Sequence, residues 1–219
     1  MKFLEKDCYE AVVTSMYSNG AVNIDFEDQY LLSSGVKSPL YIEAGALVSD
    51  FGTRGQIAGA LLFWINEHCR KQNTKVDAIV GIAQGGIVWA SSVANNKALP
   101  MLYAFAKKKD HGLFNQIAGE LPFDGCKVIV LDDAITTGYS ALEVVKALRE
   151  GKNGKKAEVL GVYSIFDWDF PEVNTKFAEL GVEKHHLVSV SSLLDYGVEH
   201  NMLDADVVSR LRQHYPPKQ

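Results

Sequence analysis

The chain has 219 residues, of which 47% are apolar and 22% charged, which excludes a disordered, collagen-like or low-complexity polymer. A chain of this length buries roughly 70% of its unfolded surface and needs no disulfides to hold a core. Its formal net charge of -5 excludes a general nucleic-acid binder, so any phosphate recognition must be local.

Three cysteines, Cys8, Cys69 and Cys126, are scattered and form no CxxC pair, so neither a disulfide framework nor a zinc knuckle is expected. Cys126 reads as packing. The first twenty residues carry Lys2, Glu5, Lys6, Asp7 and Glu10, too many charges for a signal peptide. The longest unbroken apolar stretch, Ile57 to Ile65, is nine residues and far short of a membrane span. A cytoplasmic protein with no membrane and no nucleic-acid partner is expected. No repeat or linker interrupts the chain, which reads as one domain over 1–219.

Glu5 to Asn19 has helical spacing at Cys8, Ala11, Val12 and Met16, and Gly20 stops it. Residues 21–45 predict two short antiparallel strands around Ser33-Ser34-Gly35 and Ser38-Pro39. With the helix they form a small hood over about residues 1–48. A core follows over about 49–219. Asp50 caps a long helix to Lys71, with Ile57, Leu61, Trp64 and Ile65 on one face. Asp77 to Ile82 is a buried strand, followed by Gly85-Gly86 and a helix to about Asn95. Further strands are expected over Pro100 to Ala106, Lys127 to Leu131, Val159 to Phe166 and Leu187 to Val190. Thr137 to Glu150 predicts a helix stopped by Gly151. This alternation predicts an α/β fold: a mostly parallel sheet flanked by helices, with ligands at the carboxyl ends of its strands.

The chemistry concentrates in Val128 to Ser140 (VIVLDDAITTGYS). An apolar strand runs into Asp132 and Asp133, then Ala134 and Ile135, and then a loop of Thr136, Thr137, Gly138, Tyr139 and Ser140 opens a helix. Backbone N–H groups and hydroxyls at a helix N-terminus cradle a phosphate dianion. Gly138 lets backbone approach closely. Ionised carboxylates accept hydrogen bonds from the vicinal hydroxyls of a ribose. There is no GxxxxGK[ST], no GxGxxG and no HExxH, and Gly138-Tyr139-Ser140 lacks the closing glycine of a nucleophile elbow. An acidic strand end of this kind also serves as a plain magnesium site or a solvated edge.

The strand, acidic pair and Thr/Gly/Ser loop resemble the signature of the type I phosphoribosyltransferases. Three further segments resemble the orotate phosphoribosyltransferases within that family. Leu32-Ser-Ser-Gly-Val-Lys-Ser-Pro-Leu-Tyr is similar to their N-terminal segment. Lys107-Lys-Lys-Asp-His-Gly-Leu-Phe-Asn-Gln-Ile-Ala-Gly is similar to their mobile catalytic loop. Ser164-Ile-Phe-Asp-Trp-Asp-Phe and Leu187 to Leu194 are similar to their carboxyl-terminal part.

The resemblance implies transfer of ribose 5-phosphate from 5-phosphoribosyl 1-pyrophosphate to orotate, giving orotidine 5-monophosphate and pyrophosphate. Lys109, with Lys107 and Lys108 beside it, closes over the pyrophosphate, and His111 is a further donor. Lys109, His111 and Asp133 are the expected catalytic residues. Asp132 and Asp133 hold the ribose, residues 134–140 the phosphate, and Gly85 and Gly86 the pyrophosphate through backbone N–H groups. The Gly85-Gly86 pair equally fits an ordinary strand-to-helix turn. Thr136 is expected to touch orotate, with Ser34, Gly35 and Lys37 near it, although Lys37 equally fits a surface lysine. The implied cofactor is Mg2+, held mainly by substrate, with Asp132 or Asp133 reaching it through water. The family's loop reaches into a neighbouring subunit, which implies a homodimer with shared sites.

Several positions depart from the common pattern. Phe105 stands where many members have arginine, and Ala106 where they have a basic residue. Ser33, Gly85 and Trp168 lie where some carry lysine, lysine and a nearby arginine. These departures keep open a phosphoribosyltransferase for another base, and a non-catalytic sensor of ribose phosphates. His68, His185, His186, His200 and His214 have no ligand spacing and read as surface or boundary residues.

Overall fold

The computed structural model describes residues 2–32, 35–107 and 116–214. Helix α1 (Lys2–Ser18) buries Val12, Val13 and Met16 completely. Four short strands follow where two were expected: β1 (Val22–Ile24), β2 (Tyr30–Leu31), β3 (Lys37–Ser38) and β4 (Leu40–Ile42). They nest as two antiparallel ladders, β1 with β4 outside and β2 with β3 inside. The inner turn is closed by Leu32 N donating to Val36 O and Gly35 N donating to Leu32 O. A single turn, α2 (Ala46–Ser49), leads to α3 (Phe51–Lys71). Asp50 caps α3 as the sequence suggests, its Oδ1 accepting from Thr53 N at 2.7 Å.

The main sheet has six strands in the order β10-β9-β8-β5-β6-β7. They are β5 (Ala78–Ile82), β6 (Met101–Ala104), β7 (Ile117–Ala118), β8 (Cys126–Ile135), β9 (Ala157–Asp167) and β10 (Glu183–Ser189). All pairings are parallel except β6 with β7. β5 is buried at every residue, as are Val128 to Leu131 of β8. Between these strands run α4 (Gly86–Lys97), α5 (Tyr139–Glu150) and α6 (Pro171–Leu180); α7 (Val190–Glu199) and α8 (Ala205–His214) end the described chain. The loop sequence 105–116 leaves from the β6–β7 hairpin, whose ladder is extended by Phe105 N donating to Gln116 O at 2.9 Å.

Connection order locates the ligand crevice. The chain passes from β5 to its neighbour β6 in one direction and from β8 to its neighbour β9 in the other. Right-handed crossovers of opposite direction lie on opposite faces, so the sheet has a switch point between β5 and β8. The turns at the carboxyl ends of those two strands are Gly85-Gly86 and residues 136–140.

The expected last strand is displaced. β10 begins at Glu183, because an edge strand tolerates the polar run Glu183 to His186, and it stops at Ser189. There a reciprocal capping box begins α7: Ser192 N donates to Ser189 Oγ at 3.2 Å and Ser189 N to Ser192 Oγ at 3.0 Å. Val190 therefore belongs to the helix. β8 likewise runs four residues beyond the expected Leu131, carrying the acidic pair within the strand.

Candidate active site

The VIVLDDAITTGYS segment folds as β8, a three-residue loop and the first turn of α5. Residue 132 and residues 134–141 line a cavity of about 120 Å³ at this strand-to-helix junction. Gly138 has φ 72° and forms the N-cap of α5. A Cβ there would lie 3.0 Å from both Phe177 and Val173 of α6. Its glycine requirement therefore comes from the left-handed backbone and from α6 as much as from any ligand. Tyr139 is half exposed at the helix start, and Thr136, Thr137 and Ser140 are partly open.

Asp132 is buried and Asp133 partly open. Asp133 N donates to Asp132 Oδ1 at 3.0 Å, and Ala134 N donates to Asp133 Oδ1 at 2.7 Å. Burial, then the neighbouring Asp133 charge and a hydrogen bond with its carboxyl group, push Asp132 well above the usual carboxylate range. The neutral form of Asp132 is thus favoured.

The Gly85-Gly86 turn packs directly on this pair. A Cβ on Gly85 would lie 2.1 Å from Asp133 Oδ2, and one on Gly86 would lie 2.2 Å from Leu131 O. Gly86 is thus dictated by the approach of α4 to the β8 backbone, whereas Gly85 is opposed only by the Asp133 side chain. The same approach brings the start of α4 beside the acidic pair. The peptide bond between Ala83 and Gln84 is cis.

The N-terminal strands reach the same region. Tyr41 of β4 is raised above the usual phenol range by burial first, then by the charges of Glu43 and Asp133. Its ring lies 5.4 Å from that of Tyr30. Gly35, with φ 84°, and Lys37 are exposed on the inner hairpin. Lys107 is exposed at the start of the loop. Ser34, Lys108, Lys109 and His111 lie outside the described residues. The loop's root is pinned: Gln116 Nε2 donates to Ala106 O at 3.2 Å and to Glu143 O of α5 at 3.4 Å. Phe105 meets Tyr103 edge to face at 5.7 Å.

The sequence reading missed a buried ion pair beside the loop. Asp167 ends β9 opposite Ile135 and is fully buried, paired with the nearly buried side chain of Lys184, whose Nζ donates to its Oδ2. Trp168 N donates to Ile135 O at 3.0 Å, so this corner holds the carboxyl end of β8. The reading of His68 as a surface or boundary residue also fails, since it is buried at 6% exposure. Its position follows Ile57, Leu61 and Ile65 on the buried stripe of α3.

A family model described as a phosphoribosyl transferase domain matches residues 49–167, from the residue before the α3 cap to the end of β9. The chain belongs to this family. An orotate phosphoribosyltransferase of Lactococcus lactis subsp. cremoris (strain SK11) is 33% identical over 205 residues, covering 93% of each chain. One from Enterococcus faecalis (strain ATCC 47077 / OG1RF) is 36% identical over 194 residues, covering 88% of each. The crystal structure of orotate phosphoribosyltransferase from Aeropyrum pernix superposes with a TM-score of 0.68 at 26% identity, over 84% of this chain and 97% of that one. Among the described residues, no helix is long and apolar enough to cross a membrane.

Proposed function

We infer that this chain is an orotate phosphoribosyltransferase, transferring ribose 5-phosphate from 5-phosphoribosyl 1-pyrophosphate to orotate in pyrimidine synthesis. The observation that carries it is the 33–36% identity to enzymes of that name across about nine-tenths of both chains. The acidic pair and phosphate loop at the sheet's switch point support it.

The residues divide the work by chemistry. N–H groups and hydroxyls of residues 136–140 bind the 5-phosphate at the N-terminus of α5, where the helix dipole favours negative charge. Asp133, with an oxygen facing the Gly85 turn, accepts from the ribose hydroxyls. The turn's backbone lies where it can meet the pyrophosphate. Thr136, with Ser34, Gly35 and Lys37 from the inner hairpin, borders the base. Lys109 and His111, from the loop rooted on β6 and β7, stabilise the charge that builds on departing pyrophosphate, with Lys107 and Lys108 adding positive field. Closure of that loop excludes water from a cationic sugar.

Two adjacent carboxyl groups, one buried and one partly open, suit an oxygen-seeking Mg2+ that keeps much of its water. Asp132 and Asp133 would hold it through water, and it would neutralise charge on the pyrophosphate. A cytoplasmic homodimer with shared sites completes the reading.

The test follows orotate absorbance in purified protein with 5-phosphoribosyl 1-pyrophosphate and Mg2+, beside uracil, adenine, guanine and hypoxanthine. Loss of the orotate signal alone supports the assignment. Consumption of another base instead overturns the substrate while keeping the chemistry. Tight ribose-phosphate binding with no turnover of any base means a sensor.

A further inference from the structure

Away from the acidic pair, α3 and the edge strand β10 bring together His68, Glu183 and His185. We propose that these three side chains form a binding site for a zinc-like divalent transition metal, which clamps the carboxyl end of α3 to the edge of the sheet. One ligand atom from each lies within 4.8 Å of the others. His68 Nδ1 is 3.5 Å from Glu183 Oε2, and His185 Nε2 is 3.2 Å from the same oxygen. Ligands at zinc bond lengths of about 2.0–2.1 Å in tetrahedral geometry stand about 3.3–3.4 Å apart. Both measured separations lie close to that edge length.

His68 is 6% exposed, and its ring Nε2 is buried without a hydrogen-bond partner. Three buried side-chain polar atoms lack a partner among the described residues, and a second is the hydroxyl of Tyr163, which stacks on His185 at 4.5 Å. Two of the three therefore lie beside the cluster; with Nδ1 of His68 turned to Glu183 Oε2, Nε2 is the nitrogen of that ring left for a partner outside the metal's own ligands.

The surroundings fit a metal centre. Gln72 Nε2 donates to Glu183 Oε1 at 3.3 Å, leaving Oε2 between the histidines. Tyr163 fixes the His185 ring plane. Glu183 is exposed, giving an ion a path in and room for a water ligand. His68 lies in the last turn of α3, whose terminal carbonyls favour a cation. Two imidazoles and one carboxylate suit Zn2+ and its neighbours, whereas Mg2+ prefers oxygen donors.

The test titrates Zn2+ into chelator-treated protein in excess Mg2+, which occupies oxygen-only sites, with calorimetry and thermal unfolding as readouts. One equivalent is expected to bind and to raise the melting temperature. Co2+ in its place should give the intense visible absorption of a four- or five-coordinate site. Glu183→Gln and His185→Gln, both at accessible positions, should abolish the one-equivalent isotherm and the thermal shift. Gln72→Ala should weaken binding by about 10- to 100-fold, and His186→Gln should leave it unchanged. Absence of a one-equivalent isotherm in the unaltered protein overturns the proposal, as does binding that survives both Glu183→Gln and His185→Gln.

Discussion

Gly85 and Asp133 are so close that a methyl group on one would overlap a carboxylate oxygen of the other, at 2.1 Å. The relation joins the two turns that flank the switch point of the sheet. It also separates two neighbouring glycines by function. The obstacle at Gly85 is the end of a side chain, which can swing away, so Gly85→Ala should fold and misplace Asp133. A displacement near 1 Å of a positioning group can cost about 100-fold in rate. The obstacle at Gly86 is the carbonyl of Leu131 in the middle of the sheet, which cannot move. Gly86→Ala should cost about 1–3 kcal/mol of stability. Steady-state kinetics and urea unfolding on both variants check the contrast; equal stability losses would refute it.

Asp132 gives a pH dependence with a definite sign. Its folded pKa is raised, by burial first and then by Asp133. The fold therefore favours the neutral acid. That contribution is fully present below the ordinary aspartate value of about 3.9 and is lost as pH rises towards the folded value. Over that window the loss approaches about 1.4 kcal/mol per pH unit. Asp132→Asn keeps an oxygen for Asp133 N and cannot ionise. It should unfold at higher urea than the parent at pH 7 without Mg2+, and the gain should shrink towards pH 4.

Gly138 meets two constraints that can be measured apart. Its φ of 72° is strained for any residue with a side chain, and a Cβ would press on Val173 and Phe177 at 3.0 Å. Gly138→Ala should cost about 1–3 kcal/mol. Adding Val173→Ala should recover part of the packing share and none of the backbone share. Double-mutant unfolding measures this, and strict additivity of the two losses would mean that α6 is not involved.

Much of this architecture is legible in the chain because burial is local and continuous there. The all-apolar β5, the run Val128 to Leu131 and the Asp50 cap each announce themselves. The acidic pair and hydroxyl loop also stand out, since their chemistry lies in consecutive residues. Other features depend on partners distant in sequence. Glu183 to His186 read as polar surface, and only pairing with β9 makes them a strand. The two-residue β7 carries no pattern of its own. His68 continues the helical stripe from Ile57, Leu61 and Ile65, a signal present in the spacing. Its meeting with Glu183 and His185 required the β9–β10 pairing. The packing of Gly85 against Asp133 was likewise invisible, because it depends on how closely α4 approaches β8.

The Asp167–Lys184 pair should be a stability determinant of the same corner. Asp167 is fully buried and Lys184 nearly so. Removing one partner strands a charge in low dielectric, at about 3–5 kcal/mol. Lys184→Met should lower the unfolding midpoint accordingly, whereas Asp167→Asn with Lys184→Met together should recover most of it. Chemical denaturation of Lys184→Met, Asp167→Asn and the double variant measures the coupling. A loss under 1 kcal/mol for Lys184→Met would mean that water reaches the pair.

Lys109 and Asp133 provide the test of a shared site. Lys109→Ala removes a group assigned to the departing pyrophosphate, so turnover should fall about 100- to 1,000-fold while nucleotide product affinity changes little. Asp133→Asn removes a carboxylate assigned to the ribose and should leave the fold intact. If each loop serves the neighbouring subunit, a dimer of one variant with the other holds one site with both defects and one with neither. Equal mixing gives half such hybrids, each with one of two sites intact, so about a quarter of the parental activity should return. Unfolding and refolding the mixture, followed by assay, measures the recovery. Activity no higher than the average of the separate variants, with hybrids confirmed by mass spectrometry, would mean that each subunit closes its own loop over its own site.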